Sequence, residues 1–372
     1  MKRKLLLIVS FMLFLTCNAQ QKINFSEQFK KENKGKYKIE VNEVKELIQI
    51  MLAITKSGLE NDDMFQQQGQ YYKDMLAHFK PYEEEKIIKT FDSLMVSSPF
   101  NYIFLTGNGI SYNFKGDQLI KSNIYDFPAT SINGIKITEN PITTYKQQIE
   151  DFAKKSQFRK FYKSQKKYYS EIVSDYEQNA NLGKQWKWLE KNFDTKIDSY
   201  TIYCSPLING LNYTDEFKNN NFRLIYMNLP PLEKHTYPSA IQNEIFNTRI
   251  MFTEIDHNYV GGPSEKNKET IDKLFANRQY WVNENTEGTF AYQNPINVFN
   301  EYMTYSVFVL YCKDYYDEPT FNIAKNEVIV VMKDRGFPKM QEFTDNLIKT
   351  RANHPNEKID SWYPEFLKLF EK

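Results

Sequence analysis

The residues best suited to chemistry lie in one predicted helix. Glu254 and His257 are three positions apart, so they share a helical face with Asn247 and Ile250. In the zinc-binding helix pattern H-E-x-x-H, two histidines at i and i+4 hold the metal and the glutamate is the general base. Glu254 and His257 match the second and fifth positions, whereas Thr253 stands in place of the first histidine. The stretch therefore predicts a helix of metal-hydrolase type in which a hydroxyl replaces one imidazole.

A second acidic residue lies on a later, strongly apolar helix predicted from Val298 to Tyr315. Glu301 shares the apolar face of this helix. A carboxylate on such a face is costly to bury unless it is paired, hydrogen-bonded or bound to a metal. A metal site would need His257, Glu301 and a recruited Glu254 or Asp256, since zinc takes at least three protein ligands. If Glu254 were a ligand, it could not also be the free general base.

Three interpretations of Glu254, His257 and Glu301 stay open at this point. They form a buried polar network that fixes two helices, a metal site without ordinary peptidase chemistry, or the site of an active hydrolase. His235, in the loop before the motif helix, is either a replacement ligand or a surface residue. We interpret His78 as a packing residue, and His354 shows no obvious partner. No nucleophile-elbow glycines surround Ser205, which argues against a serine hydrolase.

The first nineteen residues read as a secretory signal peptide. Basic residues 2–4 precede a short apolar run over 5–15, which is too short to span a bilayer, and a small residue marks the end. Cleavage after Ala19 is one route, and a lipidated N-terminus at Cys17 is the other. Both routes predict an exported protein of the periplasm, the cell envelope or the extracellular space.

Composition excludes several classes of function. Removal of residues 1–19 takes away three of the 48 basic residues and leaves the 47 acidic ones in slight excess. A nearly neutral surface of mixed sign gives no electrostatic case for binding nucleic acid. No later stretch is apolar enough for a transmembrane span. Cys204 and Cys312 each lie in an apolar run, so two buried thiols are expected rather than a disulfide framework.

The hydrophobic pattern predicts an α+β fold that is mostly helical. After a polar lead-in over 20–40, we expect a helical region over 41–195 and a mixed region over 196–372, either as two units or as one continuous unit. Strands are predicted over 200–205 and 222–228, and a strand or buried segment over 101–106. The strands should form a small sheet beside the motif helix, with 222–228 as the edge that holds an extended peptide. The motif helix should begin at Ala240 and end at Gly261-Gly262-Pro263.

Two segments carry a resemblance to a known family. Residues 252–260 (FTEIDHNYV) and 298–304 (VFNEYMT), with Ser205-Pro206-Leu207 after a strand, resemble an uncharacterised family of secreted bacterial proteins related to gluzincin-type zinc metallopeptidases. Many members of that family carry a His-Glu-Phe-x-His helix followed by Val-Asn-Pro, and a later helix with a glutamate. The resemblance covers the chain from about Val41 onward. It departs from the family at Thr253 and at the glycine pair that precedes Pro263.

The resemblance implies a zincin-like core with a degenerate motif. Glu254 would be the general base, His257 a zinc ligand and Glu301 a further ligand, with Thr253 at the position of the missing ligand. The expected function is that of a degenerate metallopeptidase relative that keeps a groove for a peptide or protein partner. The alternative is an active, metal-dependent peptidase that uses the same three residues.

Overall fold

Helices make up most of the chain and small sheets a minor part of it, which confirms the predicted, mostly helical α+β class. The computed structural model describes residues 23–132, 135–219, 221–232, 239–286, 289 and 292–371. The signal peptide, Cys17 and His235 lie outside these residues, so the predictions made for them stay predictions. None of the helices within the described ranges has the length and apolar character needed to cross a membrane.

The chain divides into two compact units that differ from the predicted regions. The first unit contains Ile8–Tyr176 and Ile197–Leu232, and the second contains Glu177–Lys196 and Glu233–Lys372, each in its described parts. The boundary predicted between residues 195 and 196 assigns the strands after it to the C-terminal region. They belong instead with the N-terminal region, because the strand after residue 196 pairs with a strand near the N-terminus.

The first unit combines short helices with all the described sheets. Its helices are α1 (Glu27–Asn33), α2 (Glu43–Ala53), α3 (Lys56–Leu59), α4 (Gly69–Phe79), α5 (Lys86–Ser97), α6 (Asn101–Asn108), α7 (Pro141–Thr144), α8 (Lys146–Lys155), α9 (Phe158–Ser164) and most of α10 (Lys166–Asn179). Its strands are β1 (Lys36–Glu40), β2 (Tyr112–Lys115), β3 (Gln118–Lys121), β4 (Ser131–Ile132), β5 (Ile135–Lys136), β6 (Ser199–Cys204), β7 (Tyr213–Asn219) and β8 (Phe222–Leu229). The segment over 101–106, predicted as a strand or a buried segment, lies in helix α6 and is buried from Tyr102 to Thr106.

The largest sheet has four strands in the order β1-β6-β8-β7. Strands β1, β6 and β8 run parallel, and β7 is antiparallel to β8. The prediction that residues 222–228 form a peptide-holding edge is wrong, because β8 is hydrogen-bonded on both sides. All side chains of β8 except Arg223 are buried, as expected for a strand covered on both faces. The edges of this sheet are β1 and β7.

The predicted polar lead-in over 20–40 has regular structure in its described part. Ser26 caps α1 by accepting a hydrogen bond from the Phe29 N–H, and β1 follows directly. Ile23 and Phe25 are buried. The polar composition of the segment reflects its exposed side chains, while a few apolar residues attach it to the unit.

The second unit is helical throughout its described residues. It contains α11 (Leu182–Asn192), α12 (Ala240–Lys266), α13 (Lys268–Leu274), α14 (Arg278–Trp281), α15 (Pro295–Tyr315), α16 (Glu318–Asp334), α17 (Met340–Asn353) and α18 (Ile359–Lys368). Helix α15 is its centre, since residues 298–304 and 306–312 are all buried and α12, α13, α16 and α17 pack on it. The motif helix α12 thus belongs to a different unit from the four-stranded sheet that was predicted beside it.

Helix α12 begins at Ala240 as predicted, with Ser239 as its N-cap, but it does not end at the glycine pair. It continues through Pro263 to Lys266. The residue before a proline is normally pushed out of the helical region partly by its own Cβ, and Gly262 has none. The hydroxyl of Ser264 donates to the Val260 carbonyl at 2.9 Å, one residue after the carbonyl that Pro263 leaves without a backbone donor. The two glycines therefore let the helix pass a proline rather than end before it.

Candidate functional site

Helices α12, α15 and the end of α16 bring the candidate residues together. Asn294 caps α15, Pro295 occupies its first turn, and Glu301 follows two turns into the helix with 3% of its surface exposed. Helix α16 is capped by Asp317 and ends at Arg335, after which Gly336 takes a left-handed φ of +92°. A side chain at Gly336 would collide with Thr289 and Thr286. This glycine turn fixes the point from which Arg335 reaches into the helical layer.

The closest partner of Glu301 is a guanidinium rather than an imidazole. Arg335 Nη1 lies 2.8 Å from Glu301 Oε1, with both side chains mostly buried. The same nitrogen donates to the Tyr305 hydroxyl at 2.6 Å, and Nη2 donates to the Tyr292 hydroxyl at 3.1 Å. The carboxylate and two tyrosines thus share one fixed, planar donor group. The cost of burying Glu301 is offset by a charge-assisted hydrogen bond.

His257 lies beside this pair. Its Nε2 atom is 3.9 Å from Glu301 Oε2, which is too long for a direct hydrogen bond. Burial, aided by the Arg335 charge, lowers the pKa of His257 to about 3. The imidazole is therefore neutral at physiological pH. The predicted juxtaposition of His257 and Glu301 is present, but Glu301 is oriented by Arg335.

The other polar residues of α12 are also buried. The Thr253 hydroxyl bonds carbonyls of its own helix, Arg249 O at 3.1 Å and Ile250 O at 3.3 Å. Glu254 is 4% exposed and Asp256 is fully buried. Burial, aided by the charges of Glu301 and Glu254, raises the pKa of Asp256 well above its usual value. This shift favours the protonated form of Asp256, and a protonated carboxyl group is a weaker metal ligand than a carboxylate.

The described residues do not fit a zinc ion. No group of three or more histidine, cysteine, aspartate or glutamate side chains within them has the geometry of a metal site. A zinc ligand lies about 2 Å from the metal, and Glu301 already holds a positively charged guanidinium. A second cation at this carboxylate would be repelled by Arg335. Arg335 is hydrogen-bonded to Oε1 of Glu301 whereas His257 faces Oε2, so the guanidinium opposes zinc ligation by its charge and not by occupying both oxygens.

Other residues singled out in the sequence have structural partners. His78 lies 2.7 Å from the Ser156 carbonyl and packs against Phe79, which confirms it as a packing residue. His354, for which the sequence showed no obvious partner, has two: the carboxylates of Glu357 and Glu365 lie 2.9 Å from its two nitrogens. Cys204 and Cys312 are buried, free thiols, as predicted.

Sequence reasoning missed Arg335, Tyr305 and Tyr292. An arginine directly before a glycine at the end of a helix is usually a solvated C-terminal residue, so its spacing gives no sign of burial. The one available signal was Glu301 itself. A carboxylate on an apolar face requires a cation, and the chain offers arginines and lysines as well as metals.

A second buried polar cluster lies in the first unit and was not predicted. Lys45 and Glu46 sit on α2, where every residue from 44 to 53 is buried. Lys45 donates to the Thr106 carbonyl at 2.8 Å, and Glu46 accepts from the Tyr71 hydroxyl at 2.5 Å. Burial lowers the pKa of Lys45 to about 7 and raises that of Glu46 to about 7. The folded state therefore suppresses the charge on both side chains.

Comparison with protein-family profiles, with curated proteins and with solved structures finds no match to this chain. The resemblance to zincin-like proteins therefore rests on the motif residues alone. The geometry of Glu301 and its neighbours is the observation that bears most directly on function.

Proposed function

We propose that the protein is a degenerate, zincin-like relative that is exported and acts by binding a peptide or protein partner rather than by hydrolysis. One observation carries the proposal. The carboxylate that would complete a metal site, Glu301, is 2.8 Å from Arg335. A guanidinium supplies the positive charge that this carboxylate requires, but it cannot activate a water molecule as zinc does.

The remaining motif residues support the same proposal. Thr253 directs its hydroxyl to its own helix, and a neutral hydroxyl is a poor zinc ligand beside imidazole or thiolate. Glu254 matches the general base in sequence, but a base is useful only next to an activated water. In the proposed function these residues fix the packing of α12 on α15.

The sheet edges offer a place for an extended partner. Strand β1 is an edge of the four-stranded sheet, and Lys36, Tyr37 and Lys38 on it are exposed. A peptide can add to such an edge through main-chain hydrogen bonds, while side-chain pockets set its specificity. This replaces 222–228, the edge expected from the sequence, by β1.

The proposal is tested by metal content and peptidase activity of the exported protein. We expect far less than one zinc ion per protein chain and no hydrolysis of unstructured polypeptide substrates. Stoichiometric zinc together with hydrolysis that is lost in Glu254→Gln would overturn the proposal and establish the alternative, an active metallopeptidase.

Partner binding is tested with peptides selected on the immobilised protein. Hydrogen exchange measured with and without a selected peptide should show protection of β1 amides. Protection confined to α12 and α15 would place binding at the motif instead and contradict the proposed edge. A Lys38→Pro variant removes one β1 amide and should weaken binding, whereas Lys313→Met, exposed on α15, should leave binding unchanged.

A further inference from the structure

Arg249 is a buried cation for which the described part of the chain offers no paired anion. Only 8% of its surface is exposed, and its Nε atom is fully buried without a hydrogen-bond partner. Among the described residues, no carboxylate lies within ion-pair distance of its guanidinium. The mostly buried side chain of Arg335, in the same unit, contacts the carboxylate of Glu301 and the hydroxyls of Tyr305 and Tyr292. The guanidinium of Arg335 therefore has charged and hydrogen-bonding partners within the chain, whereas that of Arg249 has none among the described residues.

The surroundings of Arg249 are aromatic. Its guanidinium carbon lies 4.5 Å from the centre of the Phe246 ring, one helical turn earlier on α12. Phe246 and Ile250 are only partly buried, so this side of the helix has accessible apolar surface. Arg249 also acts electrostatically on Tyr305 and Cys312 of α15. A cation–π contact compensates a buried guanidinium only in part, because the ring accepts no hydrogen bond from Nε.

An unpaired buried charge is among the most expensive features a folded chain can hold. Such a group commonly indicates that its counter-ion comes from a ligand. A guanidinium is permanently charged and presents its donors in a planar fork that fits the two oxygens of an oxyanion. A metal ion is excluded as the occupant here, because Arg249 is itself positive.

We infer that Arg249 anchors an oxyanion-binding site whose ligand carries a carboxylate on an apolar body. The carboxylate would pair with the guanidinium fork, and the apolar body would cover Phe246 and Ile250. The single positive charge of Arg249 is matched by the single negative charge of a carboxylate. Inorganic phosphate shares the oxyanion chemistry but lacks the apolar body. This site does not depend on whether the protein is a peptidase or a binding protein.

The test is thermal unfolding of the exported protein with three sodium salts at equal ionic strength: benzoate as the apolar carboxylate, inorganic phosphate, and chloride as the reference. At a benzoate concentration of about 100 times Kd, we expect Tm to rise by about 4 °C. Lys313→Met removes an exposed positive charge in the same unit and should show the same rise. Arg249→Met should show none.

Two further measurements distinguish a loss of ligand binding from a loss of folding. Arg249→Lys keeps the charge but loses the fork, so its affinity for benzoate should fall about tenfold or more. In chloride alone, Arg249→Met should melt no lower than the wild type, since the variant removes an unpaired buried charge, whereas Arg335→Met should melt clearly lower.

The inference is overturned if neither benzoate nor phosphate raises Tm, or if benzoate raises it equally in Arg249→Met. A rise with phosphate alone that depends on Arg249 would overturn the carboxylate assignment and keep the oxyanion site.

Discussion

Replacement of Arg335 by methionine should be the most destabilising single change in the helical unit. Methionine has a similar length and no charge, so it leaves the packing volume nearly unchanged. It removes the partner of Glu301 at 2.8 Å and the donor to the Tyr305 and Tyr292 hydroxyls. The carboxylate would then be buried without a cationic partner, with the neutral imidazole of His257 at 3.9 Å.

The magnitude follows from the burial of the pair. Glu301 and Arg335 expose 4% and 13% of their side chains, so solvent screens the interaction little. Loss of one partner of a buried ion pair costs about 3–5 kcal/mol. Each tyrosine hydroxyl that loses its donor adds up to about 1 kcal/mol, reduced where it finds another partner. We therefore expect the free energy of unfolding to fall by about 4 kcal/mol.

Urea unfolding at pH 7 measures this change as a lower midpoint at unchanged slope. The matched control is Lys333→Met, an exposed residue at the end of the same helix, which should change stability by less than about 0.5 kcal/mol. Glu301→Gln combined with Arg335→Met should recover about 2 kcal/mol relative to Arg335→Met, because no charge then remains unpaired. A loss below about 1 kcal/mol in Arg335→Met, or no recovery in the double variant, would refute the pairing argument.

Three further predictions concern export, metal and pH. Mass spectrometry of the native protein should find an N-terminus at Gln20 or at a lipidated Cys17, and intact residues 2–16 would contradict export. The single variant Thr253→His should bind little zinc, whereas the double variant Thr253→His with Arg335→Met should bind it tightly, because the guanidinium no longer opposes a metal at Glu301. Calorimetric titration with zinc distinguishes the two variants. Equal affinities would show that Arg335 does not block the site. Burial raises the pKa of Glu46 from 4.5 to about 7, so the folded state keeps a proton that the unfolded chain loses, and this contribution to stability declines as pH rises from 4.5 to 7. Glu46→Gln should remove about 3 kcal/mol of that decline in urea unfolding, and an unchanged pH profile would argue against the buried carboxyl.

The parts of the fold that were predictable are those fixed by local pattern. The period of apolar residues on α12 and α15 identified both helices, and α12 begins at Ala240 as predicted. Strands β6 and β8 were found from their runs of apolar and β-branched residues. Strand β7 alternates buried and exposed side chains but contains charged residues, so it was not recognised.

The parts that failed depend on pairing between distant segments. A strand becomes an edge or a centre only through its neighbours, and β8 acquired both β6 and β7. Strand β1 was missed because three of its five residues are exposed. The glycine pair before Pro263 carries a local signal for a helix end, but glycine also relieves the steric conflict that would end the helix. Local chemistry permits both outcomes, and the packed helical unit selects one.

The same limit explains the site. The sequence predicted that a buried Glu301 would be paired, hydrogen-bonded or bound to a metal, and the pattern around His257 favoured the metal. A zinc ion brings two charges and requires several ligands around it, while a guanidinium brings one charge and five donors on a single side chain. Arg335 uses those donors on one carboxylate and two hydroxyls at once. A buried glutamate can therefore keep its place on an apolar helix without a bound metal. Under this argument, chelators should leave the stability of the wild type unchanged, because the cation that holds Glu301 is part of the chain.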